Sequence, residues 1–352
     1  MTTVLEVEAR VPSRSVTVGL SVAAGETVAV VGPNGAGKSS LLQVVAGTLR
    51  PDPGVVRLSG VTLAGPGRHV PPHRRQLAYL QQKSLLFPHL SVVDNVAFGP
   101  RSRGTGRGQA RDRAMAELEA VGLADLAQRR PRQLSGGQAQ RVAIARALAV
   151  DPGVLLLDEP FAALDASVTP GLRSLLRDRL SASGVGAVLV THELLDVVTL
   201  ARRMVVLEQG EVVADDTVER LCAAPPSDFV ADLVGLNLVR GRARSAHALA
   251  WDGVEVTGRG EDLSVGAEAR ATFSPESVGL HREPPGGSPR NVLAATVVAI
   301  DPQGPVVEVR LRVGDQSIRA RLTPAGVAAL DLQAGDRVHA VVKATQVSLF
   351  PG

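Results

Sequence analysis

Three short stretches of this chain are almost uninterruptedly apolar, Thr27-Val-Ala-Val-Val31, Val154-Leu-Leu-Leu157 and Ala187-Val-Leu-Val190. A strand with one wet face alternates apolar and polar residues. Runs without alternation therefore predict strands of a parallel sheet covered on both faces. Elsewhere the period lengthens: apolar residues recur at helical spacing after Ser39 up to Gly47, from Asp112 to Val121 and from Ser135 to Val150, and helices are expected there. Apart from the first of these helices, residues 1 to about 60 alternate short β-rich runs with Gly, Pro and Asp turns. The first two thirds thus reads as α/β. Beyond Pro225-Pro226 and Gly235, short Val-rich strands separated by Gly, Pro and Asp run to the C-terminus and predict an all-β appendage. Glu283-Pro-Pro-Gly-Gly-Ser288 reads as a linker within it. The expected domains are 1–235, 236–287 and 288–352.

Composition narrows the class. With 352 residues the chain exceeds one comfortable hydrophobic core, and 45% apolar with 21% charged residues is the balance of a soluble globular protein. No apolar run approaches the roughly 18 residues of a membrane span, and the N-terminus carries no signal-peptide pattern, so a cytoplasmic location is expected. The lone Cys222 excludes an internal disulfide framework. A net charge of +3 is too small for a nucleic-acid footprint, and no nucleic-acid partner is expected. The most basic run, Arg101, Arg103, Arg107, Arg111 and Arg113, is interleaved with Gly104, Gly106 and Gly108 and reads as a solvated loop entering a helix.

Chemistry concentrates after the first apolar run. Gly32, Pro33, Asn34, Gly35, Ala36, Gly37, Lys38, Ser39 and Ser40 fit G-x-x-x-x-G-K-[ST], whose glycines let successive backbone N–H groups face a polyphosphate at the positive end of the following helix. Lys38 is one of three lysines in an arginine-using chain; a compact ammonium suits β/γ-phosphates at close quarters. Hydrolysis further needs a carboxylate for Mg²⁺ and a group to activate water. Asp158 and Glu159, at the end of an apolar strand, supply both, with Asp158 sharing a Mg²⁺ shell with Ser39. Two adjacent acids taken alone would equally fit a solvated strand end. Leu134-Ser135-Gly136-Gly137-Gln138 precedes a helix, where its hydroxyl and amides suit either a second phosphate or a plain N-cap by Ser135.

Together these residues resemble the nucleotide-binding subunit of an ABC transporter over most of 1–235. Gly32 to Ser39 match Walker A, Gln82 the Q-loop, Leu134 to Gln138 the signature, Val154 to Glu159 Walker B, Ala163-Leu-Asp165 the D-loop and His192 the switch histidine. The resemblance implies an α/β P-loop domain, with a mixed sheet and a helical subdomain, followed by an all-β OB-like regulatory domain. It further implies a head-to-tail homodimer trapping two ATP with Mg²⁺, each between one chain's phosphate loop and the other's Ser135 to Gln138. Glu159 would be the general base and His192 would contact the γ-phosphate. Gln82 would touch Mg²⁺ or water and report closure to the membrane partner, with Leu85, Leu86 and Phe87 fitting a groove for a partner helix or ordinary core. Members often stack adenine on an N-terminal aromatic, yet none precedes Tyr79; Arg14, or Val11 and Pro12, are the substitutes at hand.

The C-terminal region carries a second resemblance. Ser288-Pro289-Arg290-Asn291 and Lys343-Ala-Thr345 are similar to segments of the small molybdate-binding β module, which converge on an oxyanion. Ser288, Arg290, Asn291, Lys343 and Thr345 are the candidate ligands, although Pro289 removes one backbone donor. Pro71-Pro-His-Arg-Arg75 and Leu86-Phe-Pro-His-Leu90 are similar to segments of the same importer branch. The implied function is an ATPase energising molybdate or tungstate import, peripheral on the cytoplasmic face of the membrane, beneath two transmembrane permease subunits served by an extracytoplasmic binding protein. The alternatives are another cargo (sulfate, iron, polyamine or sugar), a soluble non-transport ATPase, a molybdate sensor, or a β module that only stiffens the dimer.

Overall fold

The structure, a computed structural model, describes residues 2–260, 262–286 and 290–352, and the chain divides into two compact units at Glu219/Arg220. In the first unit the three apolar runs lie in one six-stranded sheet, whose order is Glu211–Thr217, Arg203–Glu208, Thr27–Val31, Gly186–Val190, Val154–Asp158 and Leu77–Leu80. All neighbours are parallel except the edge strand Glu211–Thr217. Burial explains the unbroken hydrophobicity. Leu155, Leu157, Ala187 and Leu189 enter one core, while Val154, Leu156, Val188 and Val190 enter the other. Each strand therefore needs apolar side chains on both faces.

The two cores are capped differently. Helix α1 (Lys38–Ala46) shares its core with a five-stranded antiparallel sheet built from Thr3–Val11, Val16–Ala23, Gly54–Leu58, Val61–Gly65 and Arg68–His69. In those outer strands burial alternates residue by residue, the period of a sheet with one wet face. The other core takes helices α2 (Val92–Ser102), α3 (Arg107–Ala120), α4 (Gly136–Leu148) and α5 (Thr169–Ser183), and the short α6 (Leu194–Leu200) follows the strand Gly186–Val190. No helix of the described residues is long and apolar enough to cross a membrane.

Two expectations need correction here. The basic run is an exposed loop entering a helix only from Arg103 to Gly106: Arg101 lies in the last turn of α2, and Arg107, Arg111 and Arg113 lie on α3. Arg113 is also not free in solvent. It pairs with the buried Glu117 at 3.1 Å and with Asp151 at 3.0 Å, and Arg179 approaches Glu117 at 3.4 Å. A buried carboxylate demands cations, and α3 and α5 provide them.

In the second unit a six-stranded sheet (order Val254–Thr257, Ala248–Trp251, Asn237–Ser245, Glu268–Phe273, Ser348–Pro351, Arg259–Gly260) accompanies a five-stranded one (Gly279–His281, Arg337–Val342, Asn291–Gln303, Val306–Val313, Gln316–Leu322). The segments expected as successive modules exchange strands. Ser348–Pro351 pairs with Glu268–Phe273, Gly279–His281 pairs with Arg337–Val342, and a single core runs from Val239 to Leu349. The described residues on the two sides of the expected 287/288 boundary therefore contribute to one core.

Candidate functional site

The phosphate loop leaves the central strand Thr27–Val31 and enters α1 at Lys38, with Gly37 as N-cap. Gly32 has φ +152°, and a Cβ there would stand 1.9 Å from the carbonyl oxygen of Leu207, so only glycine fits between the loop and the neighbouring strand. Lys38 Nζ donates to the carbonyls of Gly32 at 2.6 Å and Pro33 at 2.8 Å. The ammonium is thereby held over its own loop. Burial pushes its pKa down, and the carboxylates of Glu159 and Asp158 pull it up. Pro33, Asn34, Gly35 and Ser39 are exposed, whereas Ala36 and Ser40 are buried.

The far end of α1 is held by Arg75. The residue is 3% exposed, and its guanidinium donates to the carbonyls of Val44 at 2.9 Å, Val45 at 2.6 Å and Val70 at 2.9 Å. A cation on the last carbonyls complements the helix dipole whose positive end faces the phosphate loop. In sequence Arg75 was only part of a similarity segment. Arg14 also reaches α1, through Ser40 Oγ at 3.1 Å and Gln43 Oε1 at 2.8 Å, while Val11 is buried and offers no surface to a base.

Opposite the loop, the strand Val154–Asp158 ends in the two acids. Asp158 is nearly buried, and burial raises its pKa against the hydrogen bond from Tyr79, whose hydroxyl donates to Oδ2 at 3.2 Å. Tyr79, in turn, is pushed up by burial and by that carboxylate. Glu159 turns into the left-handed region at φ +48°, with its N–H donating to Val190 O at 2.9 Å. This sparsely populated backbone state makes the turn a strained one. Gln82 Nε2 donates to Glu159 Oε2 at 2.7 Å, and His192 Nδ1 lies 3.4 Å from Oε1. Gln82 and His192, from distant parts of the chain, thus meet at the Glu159 carboxylate.

Behind His192, Thr191 Oγ1 donates to the buried Asp196 at 2.8 Å, and Arg173 grips the same carboxylate at 2.6 and 2.8 Å while lying over the Phe161 ring. The sequence reading missed Tyr79, Arg173 and Asp196 as supports. Tyr79 carried a signal, being the chain's sole tyrosine beside a glutamine pair. Arg173 and Asp196 carried none, since only folding brings α5 against α6.

Ser135 is the N-cap of α4 in a capping box with Gln138: its Oγ accepts from Gln138 N at 3.2 Å, and Gln138 Oε1 accepts from Ser135 N at 3.0 Å. The N-cap reading is realised, and the hydroxyl remains exposed beside Gly136 at the helix start. Asp165 is exposed in the turn before α5 and uses its carbonyl to accept from Thr169. Among the partner-facing candidates, Leu85 is 57% exposed at φ +31°, Leu86 packs on the core, and Phe87 sits 4.6 Å from Phe98.

Among the described residues no group of three or more His, Cys, Asp or Glu forms a metal cage. Mg²⁺ takes one or two protein oxygens and completes its shell with water and phosphate. Ser39, Asp158 and Gln82 are the available oxygens.

In the second unit, Ser288 and Pro289 lie outside the described residues. Asn291 pairs with Val342 across two strands, which sets Arg290 and Lys343 at the same sheet end; Arg290, Lys343 and Thr345 are exposed. Asn291 does not match its expected role. It is 1% exposed, and its amide is spent on Thr257, accepting from N at 2.8 Å and donating to O at 2.9 Å. Its side chain closes a strand edge and offers nothing to an anion.

Known proteins resemble this chain along most of its length. The profile described as ABC transporter matches residues 16–162, and the TOBE domain profile matches 287–349. The chain is 46% identical to the molybdenum import ATP-binding protein ModC of Mycobacterium tuberculosis, over 99% of this chain and 97% of that protein. It is 36% identical to the molybdate/tungstate import ATP-binding protein WtpC of Pyrococcus abyssi, over 91% of both chains. A Fe(3+) ions import ATP-binding protein of Rhodococcus jostii is also 36% identical, over 91% of this chain and 90% of that protein. Among solved structures, a dimeric ATP-binding cassette in a post-hydrolysis state with ADP and Pi superposes with a TM-score of 0.55 at 27% identity, covering 61% of this chain and 98% of that one.

Proposed function

This chain belongs to the ABC transporter family, and we propose that it is the ATP-hydrolysing subunit that energises import of molybdate or tungstate. The observation that carries hydrolysis is the convergence on Glu159. One carboxylate oxygen accepts from Gln82 and the other faces His192, an arrangement that orients a base toward water and leaves a cation-capable ring for developing phosphate charge. Lys38 and the amides of Gly35 to Ser40 bind the β/γ-phosphates, and Arg14 and Pro12 supply the surface nearest the base. Ser39, Asp158 and Gln82 would hold Mg²⁺, which when bound neutralises phosphate charge. The chain's own work is to bind the polyphosphate, orient water and accept its proton at Glu159.

Similarity along almost the whole chain, at 46% identity, to the molybdenum import ATP-binding protein supports the cargo, and the iron importers are the more distant alternative. In this reading two chains close head to tail, with Ser135, Gly136, Gly137, Gln138 and Asp165 of one facing the phosphate loop of the other. The pair sits peripherally under two permease subunits, whose helices meet Leu85 and Phe87, and an extracytoplasmic binding protein delivers the anion. Arg290, Lys343 and Thr345 form the oxyanion site of the second unit, with Ser288 as a further candidate.

The test is ATPase activity in membranes containing the co-expressed permease and binding protein. Molybdate or tungstate with the receptor should stimulate turnover, while sulfate and Fe³⁺ should not. Stimulation by Fe³⁺ alone would assign the other cargo. Isothermal titration of the full chain with molybdate, parent against Lys343→Ala, tests the second site; absence of heat in the parent leaves the β module only a stiffening role.

A further inference from the structure

Gln140 is fully buried on α4, on a face where its helical neighbours Ala143, Ile144 and Ala147 are apolar. Both ends of its amide are used. Oε1 accepts from Ser84 Oγ at 2.8 Å, and Nε2 donates to the carbonyl of Pro160 at 3.0 Å. Ser84 lies two residues beyond Gln82, and Pro160 directly follows Glu159. One side chain therefore spans the two segments that meet again, by a separate contact, at the Gln82–Glu159 hydrogen bond.

The strained turn at Glu159 explains what such a bridge is for. A non-glycine residue at positive φ persists only where its surroundings over-determine it. Val190 O holds the N–H of Glu159 on one side, and Gln140 holds the carbonyl of Pro160 on the other. The Ser84 side is fastened as well: Arg146 donates to Leu85 O at 3.1 Å, and Asn95, fully buried, accepts from Phe87 N at 2.8 Å and donates to Phe87 O at 3.1 Å. Those contacts fix the loop to the helices. Gln140 adds a second side-chain link from this loop to the Glu159 turn, beside the Gln82–Glu159 hydrogen bond.

We infer that Gln140 is a positioning residue that sets the Glu159 carboxylate and the Gln82 segment in register with α4; the inference rests on reading Gln82 and Glu159 as the pair that handles water. Because α4 begins at Ser135, a shift of its N-terminus would reach both segments through one amide.

The experiment measures kcat, KM for ATP and Tm on the full chain with Gln140→Met, Ser84→Ala, the double variant and Glu159→Gln. Methionine keeps the volume and removes both hydrogen bonds. Gln140→Met should lower kcat about tenfold with KM for ATP unchanged, since misplacement of a base costs rate and not binding. Ser84→Ala should lower kcat less, and adding it to Gln140→Met should change nothing more. An unchanged kcat in Gln140→Met, whatever its Tm, reduces the residue to core filling and overturns the inference. Should Gln140→Met fail to fold, Ser84→Ala at its half-exposed position decides: a lower kcat at constant KM supports the bridge, and an unchanged kcat sinks it. Turnover in Glu159→Gln close to the parent's would overturn the reading of Glu159 itself. A dead Glu159→Gln beside an unimpaired Gln140→Met removes only the role of Gln140.

Discussion

Gln82 and Glu159, 77 residues apart in sequence, are joined by a 2.7 Å hydrogen bond from amide to carboxylate. The contact orients Glu159 through the loop that also presents Leu85 and Phe87 at the surface. If Glu159 is the base and the loop meets a permease helix, as proposed, movement of that loop would move the donor on the base and so link docking to hydrolysis.

Glu159→Gln keeps the shape and the contact distance but removes the basic oxygen. Steady-state ATP turnover is expected to fall by at least about 100-fold. Binding of a labelled ATP analogue should persist, and gel filtration with ATP should show a trapped dimer. Unchanged turnover would exclude this carboxylate as the base.

Asp158 is held in the fold with its pKa above the usual carboxylate value, chiefly by burial. Its ionisation therefore weakens the fold: below the unfolded pKa the group is neutral in both states and no penalty exists, and the penalty grows as pH rises through the folded pKa. Asp158→Asn removes the charge, so its Tm should exceed that of the parent at pH 7 to 8 and converge with it in acid. A variant less stable than the parent at pH 8 would mean that the attraction of Lys38 outweighs desolvation.

Gly32 and Gly35 both have positive φ, yet a Cβ meets the Leu207 carbonyl at 1.9 Å at the first and nothing within 4 Å at the second. Gly35→Ala should lose about 1–2 kcal/mol of unfolding free energy, the cost of a left-handed alanine. Gly32→Ala should lose at least about 3 kcal/mol or fail to fold, because backbone must also shift. Urea denaturation of the two variants gives the comparison, and equal losses would show that backbone conformation alone governs the loop.

Much of the site was legible because its requirements are local. A loop that wraps phosphate needs Gly32, Gly35, Gly37 and Lys38 at fixed spacing, and strands buried on both faces need unbroken runs such as Val154 to Leu157; both constraints are written in consecutive residues. Ser135 is local too, since a helix N-cap and its Gln138 partner lie within one turn. The path of the second unit was less legible. Short Val-rich strands announce β structure but not their partners, and only packing decides that Ser348–Pro351 closes the sheet begun at Asn237.

What sequence alone determined is the local pattern: a glycine-rich turn between strand and helix, two acids at a strand end, and the family they resemble. What tertiary structure decided is which side chains support that pattern. Arg75 on the end of α1, Tyr79 on Asp158, Arg173 on Asp196 and Gln140 between Ser84 and Pro160 are all contacts between distant segments. Asn291 shows the same limit in reverse, its amide drawn into a strand edge at Thr257. A hydrogen bond across such separations depends on where two elements pack, and packing is settled by the whole core at once, so no local pattern of residues encodes it.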